Sequence, residues 1–431
     1  MEPARLERHL DRRVLRRSVD GGKTWGNTVN VTDNPVTTLA NVKPLLIVLP
    51  GTTDRIVVAY QTVVGGVRAM RVQVSTNGTS FGAQSAALNV PSDSFHHVGA
   101  IATIGTRTLC VLAWEQLDTT TLNRDVMSRI SVDGCAKFPN PAFRVNNITG
   151  TTNRFAGRPQ VGITSDGKIV WAWREQRVTA ANPNPTRDVF ASVAGPNVVA
   201  TTTAPATDLA IDTDTGADSD FPVLVVNETS AYLTWQDVAT AANAGSDVMF
   251  TRSTTGGTSW EASRIIDDPA AEVSASFTPT LAVDARGAGT ADDLVALAWE
   301  DRRQGSQVFA AVSGNGGATF ATPTRASSEG GAAIAGGTTI PQLAASGGML
   351  TVTYQNQGTA STARPHIFVA TSNDTGATWQ FTEFHPDTGV GPALTPQIIP
   401  AVQSGKPAAV TGWTDFRANQ TNGDIYIAVS H

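Results

Sequence analysis

The chain has 431 residues, of which 16% are charged, with a formal net charge of -6 and a pI near 5.5. So few charges, with acid in excess, exclude a general nucleic-acid-binding surface, which needs clustered Lys and Arg. No apolar run approaches the roughly 20 residues of a membrane span, and Met1 to Arg17 lacks the apolar core of a signal peptide, so an exported protein is expected to carry this chain in mature or truncated form.

Residues 1–12 read as an N-terminal extension open to disorder, and residues 13–431 as a single repeating domain. Each repeat opens with a strand usually preceded by proline, continues with a second strand ending in an aromatic and polar residues, and has a third strand leading into a Gly-rich turn. The second-strand aromatics Tyr60, Trp114, Trp173, Trp235, Trp299, Tyr354 and Trp413 are spaced 54, 59, 62, 64, 55 and 59 residues apart. First strands follow the same ruler at Pro44, His97, Pro159, Pro222, Pro279, Pro341 and Pro396, and proline there suggests a strand start. Third strands begin near Val67, Asp125, Asp188, Asp247, Gln307, Arg364 and Asp424. Period-two runs such as Leu294 to Trp299, joined by Gly-rich loops, predict antiparallel sheets rather than crossover helices.

The turns share one chemistry. Ser18 to Trp25 and Ser253 to Trp260 are the fullest copies, with weaker ones at Ser75 to Phe81, Ser131 to Phe138, Ser313 to Phe320 and Ser372 to Trp379. A short polar side chain caps backbone amides two or more residues on, glycine supplies positive φ, and the aromatic folds back over apolar surface. The fold expected is all-β: a seven-bladed β-propeller of four-stranded antiparallel blades. Ser430 matches Ser253, so the last blade is expected to take its outer strand, Thr28 to Val31, from the N-terminus, which removes the open sheet edges. Val14 to Arg17 then duplicates a third strand already supplied by Asp424 to Val429.

The pattern Ser-x-Asp-x-Gly-x-Thr-Trp at Ser18 resembles the Asp box of the sialidase (BNR-repeat) superfamily, and the repeat resembles its secreted propellers from about residue 13 onward. The resemblance implies that these turns lie opposite the active site. It also implies, for a working sialidase, an arginine triad, a tyrosine nucleophile with a glutamate partner, and an aspartate acid/base. Gly157-Arg158-Pro159-Gln160 resembles the family's arginine-bearing blade start, whereas Tyr60, Tyr232, Tyr354 and Tyr426 all occupy positions within the repeat.

Residues that break the repeat are the candidate ligand contacts. His96 and His97 replace the usual proline, and Arg158 is the lone arginine at such a position. Glu115, Glu175 and Glu300 close second strands on the same face, where they read either as ligand acceptors or as a recurring structural device. Asp212, Asp214, Asp218 and Asp220 alternate about a glycine in a spacing that suits a structural Ca²⁺, the alternative being a solvated acidic loop. Cys110 and Cys135 fall in one repeat, either bonded or as two free thiols; a bond points to an oxidising compartment. The reading is an extracellular or cell-surface propeller that binds a glycan or protein partner without catalysis, its oligomeric state open. The alternatives are a sialidase-type exo-glycosidase and a structural subunit of an extracellular assembly.

Overall fold

Strands such as Leu294-Val-Ala-Leu-Ala-Trp299 are apolar on both faces, so each must be covered by another sheet on either side. In the computed structural model such strands form successive antiparallel sheets, with a short 3-10 turn at Thr290–Asp292 and no α-helix among the described residues. The described residues are 14–18, 24–31, 42–49, 54–64, 66–89, 92–118, 121–147, 153–178, 185–195, 205, 207–212, 217–239, 245–267, 275–286, 290–329, 332–333, 337–356, 365–383, 392–403, 405–415 and 424–430.

An N-terminal hairpin joins β1 (Val14–Leu15) to β2 (Val29–Asn30). The first unit is β3 (Val42–Leu49), β4 (Arg55–Val64) and β5 (Val67–Ser75). The second is β6 (Asp93–Ile104), β7 (Arg107–Leu117), β8 (Arg124–Ser131) and β9 (Phe143–Arg144). The third is β10 (Asn153–Ile163), β11 (Ile169–Val178), β12 (Arg187–Ala194) and β13 (Leu209–Ala210). The fourth is β14 (Ala217–Asn227), β15 (Ser230–Ala239), β16 (Ser246–Ser253) and β17 (Arg264–Ile265). The fifth is β18 (Ser276–Asp284), β19 (Leu294–Asp301), β20 (Gln307–Ser313) and β21 (Thr324–Arg325). A small hairpin, β22 (Ser328–Glu329) with β23 (Ala332–Ala333), leads to the sixth: β24 (Thr338–Ser346), β25 (Met349–Asn356), β26 (His366–Ser372) and β27 (Gln380–Glu383). The last described sheet is β28 (Ala393–Gln403), β29 (Lys406–Asp415) and β30 (Asp424–Ser430). Within each sheet, chain neighbours pair antiparallel.

First strands pack on one another from unit to unit, from β3 on β6 through to β24 on β28, so they are the inner strands and the short fourth strands lie at the rim. The arrangement is propeller-like. Its core lies between sheets, where Trp114, Trp173, Trp235 and Trp299 are fully buried.

The prolines do not start strands. Each stands mid-strand as the second residue of a bulge, where the pairing register skips two residues: Gly157 to Gln160 in β10, Asp220 to Val223 in β14, Phe277 to Thr280 in β18. Proline has no N–H to give the ladder, and the bulge asks for none. The first residue of the bulge takes positive φ, 42° at His96, 51° at Arg158, 53° at Phe221, 47° at Thr278, 55° at Ile340 and 50° at Thr395. Such backbone costs of order 1–3 kcal/mol per residue and persists because the packed inner strands enforce it.

The turns follow the capping logic. Ser253 Oγ accepts the Gly257 amide at 2.8 Å, Thr255 Oγ1 accepts the Ser259 amide at 3.0 Å, and Trp260 Nε1 donates to the Gly257 carbonyl at 3.0 Å. In the sixth unit Asp374 accepts from Thr378 and Ser372, which holds its carboxyl down to about 2. Cys110 and Cys135 are bonded, with Cα atoms 5.4 Å apart, tying one such turn to β7.

At the N-terminus two short strands form a hairpin. β2 pairs with β1, and β30 pairs with β29. Val31 and Leu15 pack on Ile56, Val58 and Tyr60 of the first unit, which gives the hairpin an apolar seat there.

In the second, fourth and fifth units a polar residue after the fourth strand caps the third. Val126 donates to Asn146 Oδ1 at 3.0 Å, Val248 to Asp267 Oδ1 at 3.0 Å, and Val308 to Ser327 Oγ at 2.8 Å. Asn146 also donates to Asp125 at 3.1 Å; at the equivalent place Asp267 faces Asp247, and burial together with that like charge raises Asp267 to about 6. Because this folded-state value lies above the roughly 3.9 of an unfolded Asp, stability is lost as pH rises from about 4 through 6. Asp267→Asn, which supplies the amide seen at Asn146, is therefore expected to raise Tm at pH 7 and to leave it unchanged below pH 4, as thermal melts across pH will show.

Candidate functional site

The bulges put side chains that do not repeat onto the inner strands, and those of the second to fourth units carry the densest chemistry. In the second unit, His96 Nδ1 lies 3.0 Å from Glu115 Oε2, and Arg124 Nη1 donates to Glu115 Oε1. Glu115 is 1% exposed. Burial works against its charge, but His96 and Arg124 more than offset this and hold the carboxyl below its ordinary range. His96, by contrast, keeps 40% of its side chain open to solvent.

The third unit abuts this cluster. A Cβ on Gly157 would lie only 2.6 Å from Glu115 Oε2, so glycine there is what lets the bulge of β10 close over the carboxylate. Next to it, Arg158 Nε stands 2.8 Å from Asp220 Oδ1, and Arg174 Nε stands 3.1 Å from the same oxygen. Arg187 Nη1 is 3.3 Å from Asp220 Oδ2, while its Nε donates to Asp218 Oδ1 at 2.7 Å. The Arg158 guanidinium lies 4.0 Å over the Phe221 ring, a cation–π contact. Asp218 accordingly titrates low, chiefly through its hydrogen bond from Arg187.

The structure thus brings His96, Glu115 and Arg158 together and leaves the other expected residues elsewhere. His97, the second residue of the β6 bulge, is buried. Glu175 is fully buried and accepts from Trp173 Nε1 at 2.9 Å, Arg177 at 3.0 Å and Asn146 at 3.0 Å. Trp299 Nε1 makes the same bond to Asp301 at 3.0 Å, so this acceptor two residues after the aromatic is a recurring structural device. Glu300 accepts from Ser306 at 2.8 Å. Arg177 pairs with Glu175 and Asp208.

The aspartates of 212–220 separate by role. Asp212 stands at the third-strand cap position, its amide donating to the Val189 carbonyl at 3.2 Å, and its carboxylate accepts from Ser219. Asp218 and Asp220 face guanidiniums, and among the described residues no cluster of three His, Cys, Asp or Glu side chains is placed to hold a metal. Asp214 lies outside the described residues.

Sequence reasoning missed Arg124, Arg174 and Arg187. Their signal was faint: each sits at an ordinary repeat position, and only the pairing of strands for Arg124 and the stacking of units for Arg174 and Arg187 brings them to their carboxylates. A separate cavity of 470 Å³ opens beside Gln116, Asp118, Asp125, Phe143, Arg144 and Asn146.

No protein-family model and no curated protein matches the chain. Among solved structures it is similar to an ulvan lyase, a polysaccharide lyase, with a TM-score of 0.53 and 10% identity over 90% of this chain and 93% of that one. The same type of lyase bound to -[GlcA(1-4)Rha3S]- gives a TM-score of 0.52 at 10% identity over the same shares of the two chains. A Hadza microbial sialidase gives 0.39 at 12% identity, over 87% of this chain and 76% of that one. The lyase likeness, at this identity, is one of fold.

Two outcomes test the arrangement. Asp220→Ala removes the carboxylate shared by Arg158 and Arg174 and leaves them beside Arg187, which keeps Asp218, and is expected to cost about 3 kcal/mol in urea unfolding. Adding EDTA tests the calcium expected from the sequence: a fall in Tm would show that a cation uses the 212–220 carboxylates, and an unchanged Tm that they serve the arginines and the strand cap without one.

Proposed function

We propose that the protein is a secreted or cell-surface, sialidase-like propeller of seven blades that binds a glycan through its inner bulges, without chemistry of its own. The observation that carries this is the convergence of Glu115, Arg124, Arg174 and Asp220 on the bulge residues His96 and Arg158 of adjacent units. Buried carboxylates hold partly exposed donors at fixed positions, and Phe221 lies against one of them. Sugars are bound by such means, through preorganised hydrogen bonds to hydroxyls and apolar contact with ring faces. The lyase of similar fold, bound to -[GlcA(1-4)Rha3S]-, supports a carbohydrate as ligand, although fold alone does not imply function.

Binding is favoured over a sialidase-type hydrolysis. Tyr60, Tyr232 and Tyr354 are buried in the sheets, and Tyr232 donates to Asp293 at 2.9 Å, which with burial pushes its hydroxyl well above the ordinary range. None of the three is available as a nucleophile at the bulges. Arg158, the arginine that the family resemblance singled out, already has Asp220 as a partner.

A glycan array is expected to give binding to a restricted set of sugars, lost by about tenfold or more with His96→Ala or Arg158→Ala, about 1.4 kcal/mol each. Turnover of a fluorogenic sialoside that disappears with Arg158→Ala would overturn the reading in favour of the hydrolase.

A further inference from the structure

The turn from first to second strand occupies residues 105–106, 228–229 and 347–348 in the second, fourth and sixth units, but 285–293 in the fifth. This departure from the repeat brings in Arg286. In the sixth unit Ser346 pairs with Met349 and Leu350 with Ser372, so the first turn and the hydroxyl turn share one end of the sheet, and the bulge at Ile340 lies toward the other. Asp284, at the end of β18, accepts the amides of Gly347 and Gly348 in that turn. Arg286 therefore stands on the face opposite the inner bulges.

Two cavities share Arg286 and Thr375 in their walls. One, of 500 Å³, also holds Val312, Asn315, Thr319 and Phe320; the other, of 420 Å³, also holds Gly348, Asn373 and Lys406. Both fall within the roughly 300–1,000 Å³ of small-molecule sites. Gly348 takes φ of 86°, and a Cβ there would stand 3.2 Å from Arg286 Nη2, so glycine leaves the guanidinium its place over the turn. Arg286 has five N–H donors, and its ion pair, from Nε to Asp284 Oδ2, is 3.9 Å long, beyond hydrogen-bond reach. Asp284 is meanwhile satisfied by the Gly347 and Gly348 amides at 3.1 and 2.7 Å. Asp374, between two residues of the cavity wall, is likewise taken up by the Ser372 and Thr378 hydroxyls. Lys406 is exposed and makes no ion pair with any described residue. Two cations thus face the groove, and the carboxylates beside them are already engaged.

We propose that this groove on the turn face is a second binding site, for an acidic saccharide whose carboxylate or sulfate sits between Arg286 and Lys406 and whose ring lies against Phe320 and Val312. Cations with donors to spare select an anionic oxygen group, which a guanidinium takes by paired hydrogen bonds. The apolar floor of the neighbouring cavity, edged by Asn315 and Thr319, favours an anion carried on a hydroxylated ring over a bare ion. The site is separate from the bulges and stands whether or not a glycan binds there.

The test is calorimetric titration of the full chain carrying Arg158→Ala, which weakens the bulge site and leaves the turn face as it is. The probes are a galacturonate tetrasaccharide, a sulfated galactan tetrasaccharide, neutral maltotetraose and inorganic sulfate, so that carboxylate, sulfate ester, bare ring and bare ion are read apart. At least one acidic tetrasaccharide is expected to bind, about tenfold or more tighter than maltotetraose and inorganic sulfate, and to weaken as salt is raised. Adding Arg286→Gln or Lys406→Gln is expected to weaken it about tenfold each. Failure of both acidic probes to bind overturns the proposal, as does binding that neither substitution changes. Maltotetraose or inorganic sulfate bound as tightly as the acidic sugars overturns it too. Should Arg286→Gln lower Tm, Lys406→Gln, at an exposed position, decides alone.

Discussion

Sheets that are apolar on both faces can be stable in water only when each is covered by another, and this one requirement organises the molecule. It explains why the second-strand aromatics are buried between sheets rather than within them, and why glycine stands where a neighbour comes closest, as at Gly162 against Val226. Hydrophobic burial of this kind is non-directional. Direction comes from the polar devices at the strand ends: the Trp-to-carboxylate bonds, the third-strand caps and the hydroxyl turns, each satisfying backbone or ring N–H groups that would otherwise be stranded.

The inner bulges are where this structural demand and the candidate site meet. Packing of the first strands holds six non-glycine residues at positive φ, and proline follows wherever an N–H is not wanted. The bulge thus decides where a side chain stands and leaves its chemistry free to vary. His96, Arg158 and Phe221 differ from Thr278, Ile340 and Thr395 in charge and hydrogen-bonding power, and only the former have carboxylates and guanidiniums gathered behind them. One side of the arc is therefore chemically equipped and the other is nearly inert. A repeated scaffold with one furnished sector is well suited to recognising a single asymmetric ligand.

Much of this was legible in the sequence because the strands are strongly periodic. The spacing from Tyr60 to Trp413 located the units, and the hydroxyl-glycine turns located their third-strand ends. His96 and Arg158 stood out because they broke a pattern. The prolines misled as to position: proline avoids the ladder at a bulge for the same reason that it avoids it at a strand start, and sequence cannot tell the two apart. Asp212 to Asp220 looked like a single acidic loop, yet its members serve a strand cap and an arginine cluster, because alternate residues of β14 face different neighbours. Arg174 and Arg187 acquire meaning only through contacts with the next unit, at Asp220 and Asp218, whereas Arg124 meets Glu115 across its own sheet.

The central claim is that ligand recognition belongs to the bulges of the second to fourth units and not to the rim. A crystal structure of the protein soaked with an oligosaccharide that it binds tests this most directly. The sugar is predicted within hydrogen-bonding distance of His96 and Arg158, against Phe221. A sugar seated instead in the rim cavity beside Gln116 and Asn146, with the bulges empty, would contradict the account.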